Sequence, residues 1–230
     1  MRADVPVARD WWSWFKRAVK EAYSTDDSQL TRCWGRVKER PEKEDYSKEW
    51  TAVMSVFLAG LAQEKGFHQK WEKEKPTKKG YGHIDFVWYK RVDNQKEPLS
   101  HQPSVLIEHE QQRYGEKKKG LKWVARKLVK SNKQMVPPPL RVLITYRWTQ
   151  SYQDDKLKDL VSKGLRRRRE VPFLLVIGAE DNEDPEEWHG YIWRGPRSGF
   201  GDMLRFRVRD QMELSQKGSE TPTPKAPPPK

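Results

Sequence analysis

Two near-continuous apolar segments constrain the fold of this chain more than any other feature. They read LRVLITYRW (140–148) and VPFLLVIGAE (171–180), and the helical pattern DDKLKDLVSKGLRRRRE lies between them. Strands with apolar residues on both faces are typical of a sheet that helices cover on both sides. The sequence therefore predicts an α/β fold whose central mixed sheet is flanked by helices.

The rest of the chain supplies further elements of this fold. Helical spacing predicts helices at 9–23 and 46–65, and a helix with an apolar face after the segment RYGEKKKG. Strand patterns occupy 83–91, 104–112, 188–195 and 203–210. Three parts follow: a Trp-rich helical segment (1–40), an α/β domain (41–214) and a disordered Pro-rich tail (215–230). The aromatic stripe of the first helix is predicted to contact the core or a partner.

Charge points to an anionic partner. The chain has 46 Lys and Arg against 33 Asp and Glu, a net charge of +13. Residues 113–130 hold eight basic residues and one acid, a local charge of +7, and an arginine run occupies 166–169. Such clusters favour binding of nucleic acid through its phosphates. The residues predicted to do so are Lys117, Lys118, Lys119, Lys122, Arg166, Arg167, Arg168 and Arg169.

Other function classes are disfavoured by what the sequence lacks. Cys33 is the only cysteine, which excludes an intramolecular disulfide and a Cys-rich zinc site. No segment approaches the ~20 apolar residues of a membrane span, and the N-terminal residues do not resemble a signal peptide. We therefore expect a cytoplasmic protein without membrane association.

Three carboxylates stand out within the predicted strands. Asp85 lies between Ile84 and Phe86, where an isolated charge is costly to bury. Glu108 and Glu110 follow on the next strand, and because strand side chains alternate, they share one face while His109 points to the other. A hairpin would bring these acids near Asp85. Three gathered carboxylates suit a divalent cation, Mg²⁺ or Mn²⁺, that activates water beside a phosphodiester.

These elements, in this order, resemble the PD-(D/E)XK nuclease superfamily, the restriction-endonuclease-like fold. The resemblance covers roughly residues 45–180 and carries the acids over one by one. It implies that Asp85 and Glu108 are metal ligands, that Glu110 occupies the usual lysine position, and that Glu49 matches an acid on the first core helix. The implied activity is metal-dependent hydrolysis of phosphodiester bonds.

The chain departs from the family pattern at two positions. Ile84 replaces the nominal proline, and Glu110 replaces the lysine. Some members of the superfamily supply this lysine from the following helix, and here Lys127 borders that helix's apolar face; Lys122 is a second choice. If neither reaches the site, Glu110 would orient the water or bind a second metal. The resemblance also gives Gln111 a minor role in substrate contact.

The sequence therefore predicts a metal-dependent endonuclease or deoxyribonuclease that acts on DNA in preference to RNA. Two alternatives stay open. The first is a catalytically inactive module of the same fold that binds nucleic acid or a partner protein, because position 110 is not lysine. The second is a regulatory protein whose N-terminal helix and Pro-rich tail bind other proteins. Homodimerisation is left open.

Overall fold

A computed structural model describes residues 6–24, 45–70, 84–91, 103–110, 120–130, 138–147, 154–165, 171–181 and 184–208. Its helices are α1 (Ala8–Ser24), α2 (Asp45–Glu64), α3 (Leu121–Lys130) and α4 (Asp154–Leu165). Its strands are β1 (Phe67–Lys70), β2 (Phe86–Lys90), β3 (Val105–Glu110), β4 (Leu140–Arg147), β5 (Phe173–Asp181), β6 (Asp184–Ile192) and β7 (Leu204–Arg207).

The strands of the described segments form one sheet in the order β1-β2-β3-β4-β5-β6-β7. Strand β3 pairs parallel to β4, and β4 parallel to β5, while the other neighbours pair antiparallel. Helices α3 and α4 provide the two connections between parallel strands, as such crossovers require. The prediction of a central mixed sheet flanked by helices is confirmed.

Each face of the sheet has its own hydrophobic core. On one face, α1 and α2 cover Val105, Ile107 and Val142, and Trp11 and Phe15 of α1 are fully buried there. On the other face, α3 and α4 cover a second set of apolar residues, namely Leu106, Leu143, Leu175, Ile177 and Tyr191. The alternation along β3 therefore assigns Val105 and Ile107 to the first core and Leu106 to the second.

Helix α1 belongs to the same core as the sheet. Trp12 of this helix lies so close to β6 that a Cβ on Gly190 would be 2.7 Å from its ring. The aromatic stripe thus packs internally, which is the first of its two predicted roles. The boundaries predicted at residues 40 and 214 lie outside the described segments.

Two details differ from the strand prediction. The predicted first strand began at 83, but β2 begins at Phe86, so Asp85 immediately precedes the strand. Strand β1 was missed, because its four residues are too few to show a clear strand pattern. Gly66 has a φ of 75° and ends the helical segment, and the chain then enters β1 directly.

Candidate active site

The chain places Asp85 beside Glu108. Because Phe86 is opposite Ile107 in the antiparallel pair of β2 and β3, Asp85 lies opposite Glu108. The backbone N–H of His109 donates to Asp85 Oδ2 at 2.9 Å, and the Asp85 N–H donates to Glu108 Oε1 at 3.3 Å. The strand backbone therefore fixes both carboxylates at the same point of the sheet.

A lysine reaches this pair from the following helix. Lys127 of α3 places its Nζ 2.6 Å from Glu108 Oε1, and the two side chains are only 8% and 5% exposed. The neighbouring residues Leu121, Val124 and Leu128 are buried against the sheet, which holds this face of α3 above β3. The geometry brings together Asp85, Glu108 and Lys127.

Burial and charge perturb both acids. Burial is the largest influence and, with the charge of Asp85, raises the pKa of Glu108 to about 8, against the charge and hydrogen bond of Lys127. Burial likewise raises the pKa of Asp85, although the His109 N–H and Lys127 oppose it. One lysine does not offset the buried Glu108 and the half-buried Asp85, so the cluster carries excess negative charge or retains a proton.

Trp123 is a neighbour that the sequence did not single out as part of the site. Its ring centre lies 5.7 Å from Lys127 Nζ, within the range of a cation–π interaction. The two residues are four apart on α3, a spacing that places side chains together on one helix face. This spacing was the available signal in the sequence.

His109 lies on the opposite face of β3, as the alternation predicts. Its Nε2 is 2.8 Å from the Tyr146 hydroxyl, and its Nδ1 is 3.5 Å from Thr51 Oγ1. Burial lowers the pKa of His109 to about 3, so the ring is neutral at ordinary pH. The prediction that His109 lies on the face of β3 opposite to Glu108 is confirmed.

The other predicted residues fall into two groups. Glu110 is the last residue of β3; it is half-buried and lies opposite Thr145 of β4. Lys122 is exposed on α3. Glu49 lies on α2, and only its backbone is described. Among the described segments, no three His, Cys, Asp or Glu side chains form a group that could hold a metal ion. Outside these segments lie Gln111, Lys117, Lys118, Lys119, Arg166, Arg167, Arg168 and Arg169.

No family model, curated protein or solved structure matches this chain. Within the described residues, no helix has the length and apolar character needed to cross a membrane. The interpretation of the site therefore depends on its own geometry.

Proposed function

We propose that the chain is a metal-dependent nuclease with a restriction-endonuclease-like core, which hydrolyses phosphodiester bonds of DNA in preference to RNA. The observation that carries the proposal is the buried contact of Lys127 Nζ with Glu108, 2.6 Å long, beside Asp85. A lysine next to two acids is the combination that the nuclease pattern requires. In this chain Glu110 occupies the usual lysine position, and α3 supplies the amine instead.

The topology supports the same proposal. Helix α2 precedes three strands, β1 to β3, that pair antiparallel, and α3 then leads to β4, which pairs parallel to β3. Apart from β1, which the sequence did not reveal, this is the order of elements on which the resemblance to PD-(D/E)XK nucleases is based. Both Asp85 and Glu108 lie on the central hairpin of this unit.

The donor set fits Mg²⁺ or Mn²⁺. Magnesium is commonly held by one or two carboxylates together with water and substrate phosphate, so a cage of three protein ligands is not required. Asp85 and Glu108 would hold the ion, and their excess negative charge would favour it. When bound, the metal would supply an activated water and positive charge next to the phosphate. Glu110 lies further along the same face and is proposed to act on the water.

Lys127 has a separate role in this proposal. Its ammonium group is held in a buried position, where a charge interacts more strongly than it would in water. It would donate hydrogen bonds to the phosphate oxygen on which negative charge develops, or to the attacking water. The apolar contacts of α3 restrict the motion of this side chain before substrate binds.

The surface of α3 supports a nucleic-acid substrate. Lys122 and Arg126 are exposed on this helix and Lys130 is partly exposed, while the helix has no acidic residue. Phosphate contacts of this kind provide affinity without sequence specificity. DNA binding should therefore weaken steeply as salt concentration rises.

A second candidate function is binding without cleavage. It is favoured by Glu110 in the lysine position and by the lack of a three-residue metal group among the described segments. In that case the basic surface would bind nucleic acid or a partner protein. The cluster of Asp85, Glu108 and Lys127 would then only stabilise the fold. The two functions differ in one observable property, which is metal-dependent strand cleavage.

The test is a cleavage assay on plasmid, linear duplex, single-stranded DNA and RNA with Mg²⁺, Mn²⁺ or EDTA. We expect Lys127→Met to lower the cleavage rate by about 10²- to 10³-fold, as for other transition-state donors, and Asp85→Asn to abolish it. Lys16→Met is the matched control, because Lys16 is an exposed lysine on α1, across the sheet. Affinity for DNA is measured in parallel by fluorescence anisotropy.

Two results would contradict the nuclease. The first is failure of the wild-type protein to cut any substrate with either metal although it binds DNA, which would favour the binding module. The second is equal cleavage by the Lys127→Met and Lys16→Met variants, which would remove Lys127 from the mechanism.

A further inference from the structure

A second polar cluster lies under α4, away from Asp85 and Glu108. Strand β6 carries Glu187, His189 and Tyr191 at alternate positions, so their side chains share one face of the sheet, and Tyr191 belongs to the core beneath α3 and α4. Asp154 is the first residue of α4 and is buried at the same place. The cluster thus joins the start of a helix to a strand 35 residues further along the chain.

Both ring nitrogens of His189 face carboxylate oxygens. The Nδ1 is 2.5 Å from Asp154 Oδ2, and the Nε2 is 2.9 Å from Glu187 Oε1. A neutral imidazole has one N–H donor, whereas a carboxylate only accepts, so both contacts are hydrogen bonds only when His189 carries two protons. The Tyr191 hydroxyl also donates to Asp154 Oδ2 at 2.6 Å. With Asp154 and Glu187 both ionised, this geometry is that of a histidinium ion.

Charges from each neighbouring element act on this histidine. From β7, Arg205 pairs with Glu187, and Arg207 lies 4.0 Å from the same carboxylate. From α4, Lys158 Nζ lies 4.6 Å from the ring centre of Tyr191. The side chains of His189, Asp154 and Glu187 are each at most 10% exposed, so these charges are weakly screened.

The perturbed acidities agree with this arrangement. Burial lowers the pKa of His189, but the hydrogen bonds and charges of Asp154 and Glu187 outweigh it, so the pKa is raised above its ordinary value. Burial alone would raise the pKa of Glu187, yet His189 and Arg205 lower it. Loss of the His189 proton would leave one ring N–H between two carboxylates, so the charge-assisted contact with Asp154 would weaken to at most a neutral hydrogen bond.

We propose that His189 is a pH-sensitive clasp, which in its protonated form holds the start of α4 against β6 through Asp154. This inference is independent of the nuclease proposal. A group whose folded pKa is raised stabilises the fold fully below its unfolded pKa, about 6.5 for histidine, and loses that contribution as pH rises through the folded pKa. The clasp is therefore closed below the raised folded pKa of His189 and opens as pH rises through it.

Opening of the clasp would affect the helix layer above the sheet. Helix α4 packs tightly on α3. A Cβ added to Gly164 would lie only 2.7 Å from the Lys122 carbonyl and 2.8 Å from the Ala125 side chain. A weaker contact between His189 and Asp154 would therefore loosen the first turn of α4. The contact of Gly164 with α3, at the other end of the helix, would be disturbed later. Amide hydrogen exchange in the first turn of α4 is the place to observe it.

The direct test is NMR of the intact chain with ¹⁵N-labelled histidine, in which His189→Gln assigns the His189 signals. We expect the titration midpoint of His189 to lie above 6.5, and the protection factors of the first α4 turn to fall as pH rises through that midpoint. A midpoint at or below 6.5, or protection factors that stay constant through it, would overturn the proposal.

A matched pair of variants tests the partner. Asp154→Asn should lower the His189 midpoint by about 1 to 3 pH units, the usual effect of losing an adjacent opposite charge. Asp155→Asn removes the same charge from the next residue of the helix, but its carboxylate is 81% exposed and pairs with Lys158, so the midpoint should stay unchanged. Equal shifts in the two variants would refute the clasp. None of these measurements involves nucleic acid. A result that refutes the clasp can therefore be distinguished from one that refutes the nuclease proposal.

Discussion

Replacement of Glu108 by glutamine tests the electrostatics of the candidate site in depth. Glutamine keeps the shape of the side chain and an oxygen that can accept from Lys127, but it cannot ionise. In metal-free protein, Glu108 has a folded pKa of about 8 against an ordinary 4.5. The folded state therefore binds the proton more tightly than the unfolded state does. A raised folded pKa means that wild-type stability decreases as pH rises from 4.5 through 8.

The magnitude follows from the two acidities. A pKa of about 8 against 4.5 corresponds to about 5 kcal/mol over the full titration, at 1.36 kcal/mol per pH unit. Of this, about 3 to 4 kcal/mol falls between pH 5 and pH 8, by the same linkage relation. For a domain of this size, 1 kcal/mol changes Tm by about 2–4 °C, so the relative Tm of the two proteins should change by about 10 °C across this range.

The assay is thermal and urea unfolding of wild-type protein and Glu108→Gln in EDTA at pH 5, 6, 7 and 8. Contributions of His109 and His189 are present in both proteins and cancel in the difference. The stability of the variant relative to wild type should increase by about 3 to 4 kcal/mol between pH 5 and 8. Parallel stability curves would refute the reasoning, because they would show that Glu108 ionises equally in the folded and unfolded states.

Metal addition extends the same experiment. If Asp85 and Glu108 hold Mg²⁺, the ion replaces the proton on Glu108, and binding releases that proton. Saturating Mg²⁺ should therefore raise the Tm of wild-type protein more at pH 8 than at pH 6, and should raise that of Glu108→Gln less at both. An equal effect of Mg²⁺ on both proteins at each pH would show that the ion acts elsewhere.

Further predictions concern the opposite face of the sheet. Gly190→Ala would place a Cβ 2.7 Å from the Trp12 ring, and should lower the free energy of unfolding in urea by about 1–3 kcal/mol. Gly60→Ala, whose Cβ would have nothing within 4 Å, should instead stabilise α2 by about 0.5–1 kcal/mol. Equal effects of the two substitutions would contradict the close contact with Trp12. His109 contacts the Tyr146 hydroxyl and has its pKa lowered to about 3. Stability should therefore fall as pH drops below about 6.5, and less so in His109→Gln; indistinguishable acid-unfolding curves would argue against a buried neutral ring.

The sequence was sufficient to predict much of the local arrangement in β3. Alternation with a period of two assigns Glu108 to one face and His109 to the other, and no tertiary information is needed for this assignment. Helical spacing in α3 likewise placed Lys127 at the border of the apolar face, and it lies within reach of Glu108. These features follow from local periodicity, so they could be predicted from neighbouring residues.

The features that sequence reasoning missed depend on pairing between distant segments. Strand β1 has four residues, too few for a clear pattern, and it is stabilised by its pairing with β2. His189 and Asp154 come together only because β5 pairs with β6 and α4 covers that part of the sheet. No short motif links two residues that are far apart in the chain, and so the cluster had no recognisable pattern in the sequence.

The position of the lysine illustrates why a short motif is weaker than the geometry it represents. The proposed chemistry requires an ammonium group next to two carboxylates. A strand can place a lysine there only at a position on the same face, about 7 Å along the strand from the acid. A helix that packs over that face can place a lysine side chain at the same point. In this chain α3 lies over β3, and Lys127 occupies the place through contacts that already bury Leu121, Val124 and Leu128. Because Lys127 supplies the positive charge, position 110 need not be a lysine. A third acid, Glu110, is then compatible with the site.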